Sequence, residues 1–170
     1  YLFDPVLECF LLIKEMKPDA TLLILNRGEH RYIQERLKRF GIGSDVAEIK
    51  SVPHEYVARE MARMDATVFF IKQVFSKRAS SPTKLGEFLG CGVPCLSNDG
   101  IGDMTRILEE DGVGVILRDF TPASQREAVQ KYLRLVSSHG IRQKCVAVAR
   151  RHFSLDLGVQ AYHALYRSLS

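Results

Sequence analysis

Short apolar runs alternate with amphipathic stretches along most of the chain. Each run has four to six mostly apolar residues, and the runs are Leu22 to Leu25, Val46 to Ile49, Ala66 to Ile71, Pro94 to Ser97 and Gly114 to Leu117. Runs of this length are typical of strands that are buried on both faces of a parallel sheet. The pattern therefore predicts five buried strands.

Helical periodicity fills the segments between these runs. His30 to Phe40 has apolar residues at helical spacing, and the next predicted helices begin near proline, serine or glycine: Glu55 to Met64, Pro82 to Gly92 and Asp103 to Glu110. Three helices without intervening strands are predicted at the end of the chain: Pro122 to Ser138, Ile141 to Phe153 and Leu155 to Leu169.

Strand and helix alternation predicts an α/β fold, because parallel neighbours in a sheet need crossover connections. We expect a Rossmann-like, doubly wound parallel sheet with helices on both faces and a helical carboxyl-terminal tail. Ligands of this architecture bind beyond the carboxyl ends of the strands.

The chain opens on a predicted helix, Asp4 to Lys17, with Asp4 as N-cap and Pro5 at the first helical position. A doubly wound unit normally opens on a strand in the middle of its sheet. We therefore expect the first strand to be missing, between the run Leu22 to Leu25 and either Ala66 to Ile71 or Pro94 to Ser97.

Composition is that of one globular domain, with 170 residues, 46% hydrophobic and 26% charged. The cysteines Cys9, Cys91, Cys95 and Cys145 have no zinc-site spacing, so we interpret them as core residues, which favours a reducing compartment. No apolar run approaches the ~20 residues of a membrane span.

The net charge of +4 would suit nucleic acid or phosphate ligands. Basic residues are spread over many helices, however, and no aromatic-rich RNA-binding strand accompanies them. We therefore expect no nucleic-acid partner.

The loop from Lys72 to Ser81 follows a predicted central strand and leads into the helix that starts at Pro82. With Ser81 as N-cap, the free amides of Thr83 and Lys84 would point out of the helix end, where an anion such as phosphate binds. Lys84 and Glu87 share a helix face, so both could reach one ligand; the alternative is an exposed ion pair along the helix.

Glycines mark two further features near this loop. Gly86 and Gly90 weaken the helix that contains them, which predicts close packing against the sheet. The loop after Ser97 contains Gly100 and Gly102, which would let backbone amides approach a ligand, with Asp103 capping the next helix. The alternative is an ordinary tight turn.

Sequence motifs for other chemistries are absent. The chain has neither a glycine-rich dinucleotide fingerprint nor a Walker sequence, and its five histidines lack metal-ligand spacing. We expect no metal and no cofactor, and we assign no catalytic residue.

The segment from Ser80 to Pro94, SSPTKLGEFLGCGVP, together with Gly102 and Asp103, resembles the group 1 retaining glycosyltransferases of family four, which have the GT-B fold. Their two Rossmann-like domains face each other across a cleft. The resemblance extends over nearly the whole chain and implies that the chain corresponds to the carboxyl-terminal, donor-binding domain. Relatives that build surface polysaccharides are the most similar in pattern.

The resemblance also implies roles for individual residues. Ser81, Thr83 and Lys84 would bind the donor diphosphate, Glu87 the ribose, and Ser51, Val52 and Pro53 the nucleobase. The family's first motif glutamate falls at Ala79, so the region of Ser76, Lys77, Arg78 and Ser80 would contact the donor sugar or phosphate instead. Gly100, Gly102 and Asp103 would form a loop near the donor.

The resemblance thus implies a metal-independent hexosyltransferase that acts with retention, and a chain that is inactive alone. Its partners would be a nucleoside diphosphate sugar, an amino-terminal acceptor-binding domain of the same protein, and a glycan or lipid-linked acceptor. We expect a cytoplasmic protein, with peripheral contact at the inner face of the cell membrane as a further expectation. Two alternatives remain open: a nucleotide- or phosphate-binding regulatory module and a sugar-nucleotide isomerase.

Overall fold

A computed structural model describes residues 1–169 of the chain. Its strands and helices alternate as far as the fifth strand, and three helices follow. In chain order the elements are α1 (Phe3–Met16), β1 (Leu22–Leu25), α2 (His30–Arg39), β2 (Ala47–Lys50), α3 (His54–Met61), β3 (Thr67–Val68), α4 (Thr83–Gly90), β4 (Cys95–Asn98), α5 (Met104–Glu110), β5 (Gly114–Leu117), α6 (Pro122–Val136), α7 (Ile141–Phe153) and α8 (Leu155–Ser168).

All strand pairs in the described part of the chain are parallel. β1 pairs with β2, with Leu22 opposite Ala47, and a second sheet has the order β3-β4-β5, with Thr67 opposite Cys95 and Cys95 opposite Gly114. The predicted α/β class with parallel strands and a helical tail is therefore confirmed.

No backbone ladder joins the two sheets within residues 1–169. Just before α1, the Leu2 amide donates to the Phe70 carbonyl at 2.9 Å, so the start of α1 lies beside the end of β3. The expectation of a missing first strand stays a prediction.

Helices cover both faces of the second sheet. One buried cluster joins the sheet to α4, α5 and α7 and includes Leu85, Leu89, Ile107 and Val148. Another joins it to α1 and α6 through residues such as Cys9 and Val129. Burial of a single leucine contributes roughly 1.5–3 kcal/mol, so these contacts fix α4 firmly on the sheet.

Tyr132 attaches α6 to the beginnings of β3 and β4. Its buried hydroxyl accepts from the Thr67 amide at 2.8 Å and lies 2.7 Å from the Pro94 carbonyl and 2.9 Å from the Thr67 carbonyl, to which it can donate. Burial in this apolar setting raises the pKa of the tyrosine well above its usual value, so the hydroxyl remains a neutral donor.

Asn98 connects β3 and β4 at their opposite, carboxyl ends. Its buried side chain accepts from the Ile71 amide at 2.7 Å and donates to the Ile71 carbonyl at 3.0 Å. The neighbouring Ser97 hydroxyl donates to the Phe69 carbonyl at 2.8 Å. The Phe69 amide still donates to the Leu96 carbonyl at 3.1 Å, and beyond it side chains replace the backbone ladder, which is why β3 is shorter than the predicted run Ala66 to Ile71.

Two predicted details of helix structure are wrong. Asp4 does not cap α1, whose N-cap is Leu2; the Asp4 carboxylate instead accepts from Arg36 Nε at 2.6 Å, linking α1 to α2. Gly86 does give close packing, but against α7, since an added Cβ would lie 2.8 Å from the Phe153 ring; Gly90 has open space around it.

The cysteines behave mainly as core residues. Cys9, Cys95 and Cys145 are buried, and burial raises the pKa of the Cys9 thiol to about 12 and that of Cys145 to about 11. Thiols with such values are poor nucleophiles at neutral pH. Cys91 is only half-buried, and it donates to the Ala58 carbonyl.

The three helices of the tail are confirmed, and they differ in burial. α6 and α7 each bury four residues, whereas α8 has no buried residue. No helix among residues 1–169 is both long enough and apolar enough to cross a bilayer.

We predict that Asn98→Ala lowers the free energy of unfolding by about 2–4 kcal/mol, because the buried amide and carbonyl of Ile71 would both lose their partner. Urea denaturation measures this change. Ser138→Ala is the matched control, since it removes an exposed side-chain bond to a backbone carbonyl, at 2.7 Å from Leu135. Equal losses in the two variants would contradict the assigned role of Asn98.

Candidate functional site at the carboxyl ends of the strands

The predicted site residues lie in loops that follow the carboxyl ends of β2, β3 and β4, and in the first two turns of α4. β3 ends at Val68 and α4 begins at Thr83, and Ser97 and Asn98 hold residues 69–71 along β4, so the loop that leaves the sheet consists of residues 72–82. Residues 99–103 join β4 to α5. Because β3 and β4 are parallel neighbours, these two loops leave the sheet side by side. Ser51, Val52 and Pro53 follow β2 in the other sheet, and no hydrogen bond within residues 1–169 joins them to the other two loops.

The amino end of α4 offers free backbone donors. The N-cap is Pro82, with no side-chain bond to the helix end, so the prediction that Ser81 caps this helix is wrong. The extended backbone of proline and its fixed φ start the helix one residue later than expected. The amides of Thr83 and Lys84 have no acceptor within residues 1–169 and combine with the positive end of the helix dipole.

Among the residues that the structure describes, Lys84 and Glu87 do not form the ion pair that their spacing allows. The Lys84 ammonium instead lies 4.8 Å from the centre of the Tyr1 ring. Burial, and then the negative charge of Glu87, raise the pKa of Tyr1 above its usual value. Both charged side chains are exposed.

The loop between β3 and α4 begins with a turn of 3-10 helix, Phe75–Lys77. The Ser80 hydroxyl donates to the Ser76 carbonyl at 3.3 Å, which folds the segment back on itself. The Arg78 guanidinium lies 6.0 Å from the centre of the Phe75 ring, whose side chain is 87% exposed. Cations therefore project from a short, hydrogen-bonded turn.

The loop between β4 and α5 packs closely against this turn. The Gly102 amide donates to the Lys77 carbonyl at 3.2 Å, and Gly102 has a φ of +46°. An added Cβ at Gly102 would lie only 2.0 Å from the Ser80 carbonyl oxygen. Glycine is therefore required here by both backbone conformation and contact, rather than by an ordinary tight turn.

Acidic residues in the second loop have partners of their own. Asp99 accepts from the Thr105 hydroxyl and from the Gly100 amide, both at 2.7 Å, and these bonds lower its pKa. Asp103 occupies the N-cap position of α5 but makes no capping bond, contrary to the prediction, and lies 3.7 Å from Arg106 instead. Because the Gly100 amide donates to Asp99, it is already hydrogen-bonded within the loop.

Sequence reasoning missed three residues that shape this edge. Asn98 fixes the end of β3, Gln73 donates to the Asp99 carbonyl at 2.7 Å, and Tyr1 lies against Lys84. A polar residue at the end of an apolar run was the available signal for Asn98. Gln73 and Tyr1 carried no such signal, because their partners are distant in sequence.

We predict that Gly102→Ala displaces the turn that contains Ser80. It should lower the free energy of unfolding by more than a side chain at a positive φ costs without such a contact. Gly41→Ala is the matched control, because Gly41 has a φ of +69° but no atom within 4 Å of an added Cβ. The control should cost about 1–2 kcal/mol. Denaturation of both variants measures the difference, and an equal effect would show that the contact with Ser80 is unimportant.

The chain is similar in fold to solved structures of other proteins. No family model and no curated protein matches the chain. Among solved structures it is similar to WaaG, a glycosyltransferase involved in lipopolysaccharide biosynthesis, with 16% identity and a TM-score of 0.65 over 90% of this chain and 39% of that one.

Two similar structures contain UDP. Anabaena HepE in complex with UDP has 14% identity and a TM-score of 0.65 over 94% of this chain and 44% of that one. The pneumococcal O-GlcNAc transferase GtfA, in complex with UDP and GlcNAc, has 16% identity and a TM-score of 0.64 over 99% of this chain and 32% of that one. The chain thus spans less than half the length of these proteins and has the fold of one half of a GT-B glycosyltransferase.

Proposed function

We propose that this chain is the donor-binding domain of a glycosyltransferase that moves a hexose-type sugar from a nucleoside diphosphate sugar to a glycan or lipid-linked acceptor. The observation that carries the proposal is the amino end of α4. Two free amides, an exposed cation at Lys84 and an exposed carboxylate at Glu87 occur in the first two turns of α4, which follows the loop from the carboxyl end of β3.

The chemistry of these groups matches the parts of such a donor. A diphosphate would bind the amides of Thr83 and Lys84 and the lysine ammonium, because each favours negative charge. Glu87 would accept hydrogen bonds from the ribose hydroxyls. Residues 51–53 would contact the nucleobase from the end of β2, and Ser76, Ser80, Gly100 and Asp103 would surround the sugar and phosphates.

The reaction we propose is transfer with retention and without a metal. In this chain, the helix amides and Lys84 would stabilise the negative charge that develops on the leaving diphosphate. An amino-terminal acceptor-binding domain would supply the rest of the cleft, so we expect no turnover from these 170 residues alone. Surface polysaccharide synthesis is the pathway that we propose.

The proposed setting is the cytoplasm, with contact at the inner face of the cell membrane where a lipid-linked acceptor would be met. Support comes from the four free cysteines, which suit a reducing compartment. Fold alone does not distinguish this proposal from a regulatory nucleotide-binding module, so the choice of ligand must decide between them.

We predict that UDP- or GDP-linked sugars protect the chain against thermal unfolding, whereas ATP and NAD do not. A ligand at about 100 times its dissociation constant should add ~2.7 kcal/mol of stability. Differential scanning calorimetry measures this effect. Protection by ATP or NAD, with none from any sugar nucleotide, would favour the regulatory alternative and refute the transferase assignment.

We predict that Glu87→Gln weakens nucleotide-sugar binding by roughly tenfold, because hydrogen bonds to a charged acceptor are worth about 1.5–3 kcal/mol. Stability should change by only a few tenths of a kcal/mol. Isothermal titration of the chain measures the affinity. Glu110→Gln, at an exposed glutamate on α5, is the control and should leave binding unchanged. Unchanged affinity in Glu87→Gln would remove Glu87 from the site.

A further inference from the structure

A cavity of about 310 Å³ opens between the loop that follows β3 and the loop that follows β4. The residues that line it are Gln73, Val74, Phe75, Arg78 and Gly100. Its volume falls at the lower end of the range for small-molecule sites, which suits one sugar ring rather than a whole nucleotide. The hydrogen bond from Gln73 to the Asp99 carbonyl, at 2.7 Å, holds the two walls together.

Positive charge predominates in the segment that lines this cavity. No aspartate or glutamate occurs between Asp65 and Glu87, whereas the same segment contains four cations, Lys72, Lys77, Arg78 and Lys84. Within residues 1–169, none of these four cations forms an ion pair. No carboxylate among these residues therefore pairs directly with the four charges.

The nearest acidic side chains of the neighbouring loop do not offset these charges. Asp99 lies 3.5 Å from Arg118, and Asp103 lies 3.7 Å from Arg106. Each of these carboxylates thus has a cation partner outside the β3 to α4 segment, Arg118 after β5 and Arg106 in α5. The cations of the β3 to α4 segment are therefore available to pair with an anionic ligand.

A donor with a neutral sugar would neutralise only part of this positive charge. Its diphosphate carries about two negative charges, which the α4 amides and Lys84 already meet in the proposed binding mode. Arg78 remains in the cavity wall, with its guanidinium 6.0 Å from the centre of the Phe75 ring. A guanidinium placed beside an aromatic ring keeps its planar fork available for a carboxylate.

We propose that the cavity binds an acidic sugar, so that the donor belongs to the nucleoside diphosphate uronic acids. Arg78 donates to the sugar carboxylate, and the Gln73 amide lies in the same wall to contact its neighbouring hydroxyl. This inference rests on the proposed function, and it narrows that function to one class of substrate.

Paired donors that differ only in the carboxylate test the inference. Isothermal titration would compare UDP-glucuronic acid with UDP-glucose, GDP-mannuronic acid with GDP-mannose, and the free nucleotides UDP and GDP. With whichever nucleotide the chain binds, UDP or GDP, we expect the donor with the uronic acid to bind roughly tenfold more tightly than the donor with the hexose. One hydrogen bond to a charged group would give a difference of this size. Equal binding, or a preference for the hexose, overturns the inference and leaves the proposed function standing.

Variants identify the residue responsible for the preference. Arg78→Gln should abolish the advantage of the uronic acid while changing the affinity for the free nucleotide by less than about twofold. Arg39→Gln removes one exposed cation from α2 and should leave the preference intact. If Arg78→Gln weakens the free nucleotide as much as the uronic acid, Arg78 binds phosphate and the inference fails. Binding of none of these nucleotides refutes both the inference and the proposed function.

Discussion

A buried carboxamide between two parallel strands is the constraint on which the candidate site depends. Asn98 bonds to both the amide and the carbonyl of Ile71, at 2.7 and 3.0 Å, immediately before the first loop begins. The second loop begins at the residue after Asn98. One side chain therefore fixes the starting points of both loops, and the contact of Gly102 with the turn at Ser80 then sets their separation. Buried hydrogen bonds of this kind specify geometry because leaving their partners unpaired is costly.

The same geometry concentrates positive charge at one edge of the sheet. The amino end of α4 supplies free amides, and the preceding turn supplies cations without carboxylates of its own. Exposed like charges of this sort repel one another, so the arrangement costs some stability in the absence of an anion. A ligand with several negative charges would relieve that repulsion, which connects the fold to the proposed donor and to its acidic sugar.

The sequence was sufficient to predict the alternation of elements, because buried strands and amphipathic helices leave local patterns. Helix ends were harder to predict, because Asp4 and Ser81 are good caps in principle but neither occupies the N-cap position of its helix. Asp4 binds Arg36 in another helix, and Pro82 ends the extended segment after Ser81. The partner of Gly86, Phe153, is likewise distant in sequence.

The sequence proposes residues for the candidate site but does not predict how they are arranged. Spacing alone did not decide whether Lys84 pairs with Glu87, because the competing partner of the lysine, Tyr1, is far away in the chain. Nor did any local pattern indicate that Gln73 would bond across to the next loop. Contacts of this kind arise from the packing of separate elements, so only the folded chain defines them.

The central claim is that a nucleoside diphosphate binds at the amino end of α4. Amide chemical-shift mapping of the nitrogen-15-labelled chain, titrated with UDP and GDP, tests it most directly. The account predicts that the largest shifts occur at Thr83 and Lys84, with further shifts at Val52. Largest shifts in the groove between α2 and β2, lined by residues such as Leu37, Gly41 and Ile49, or no shifts with either nucleotide, would contradict it.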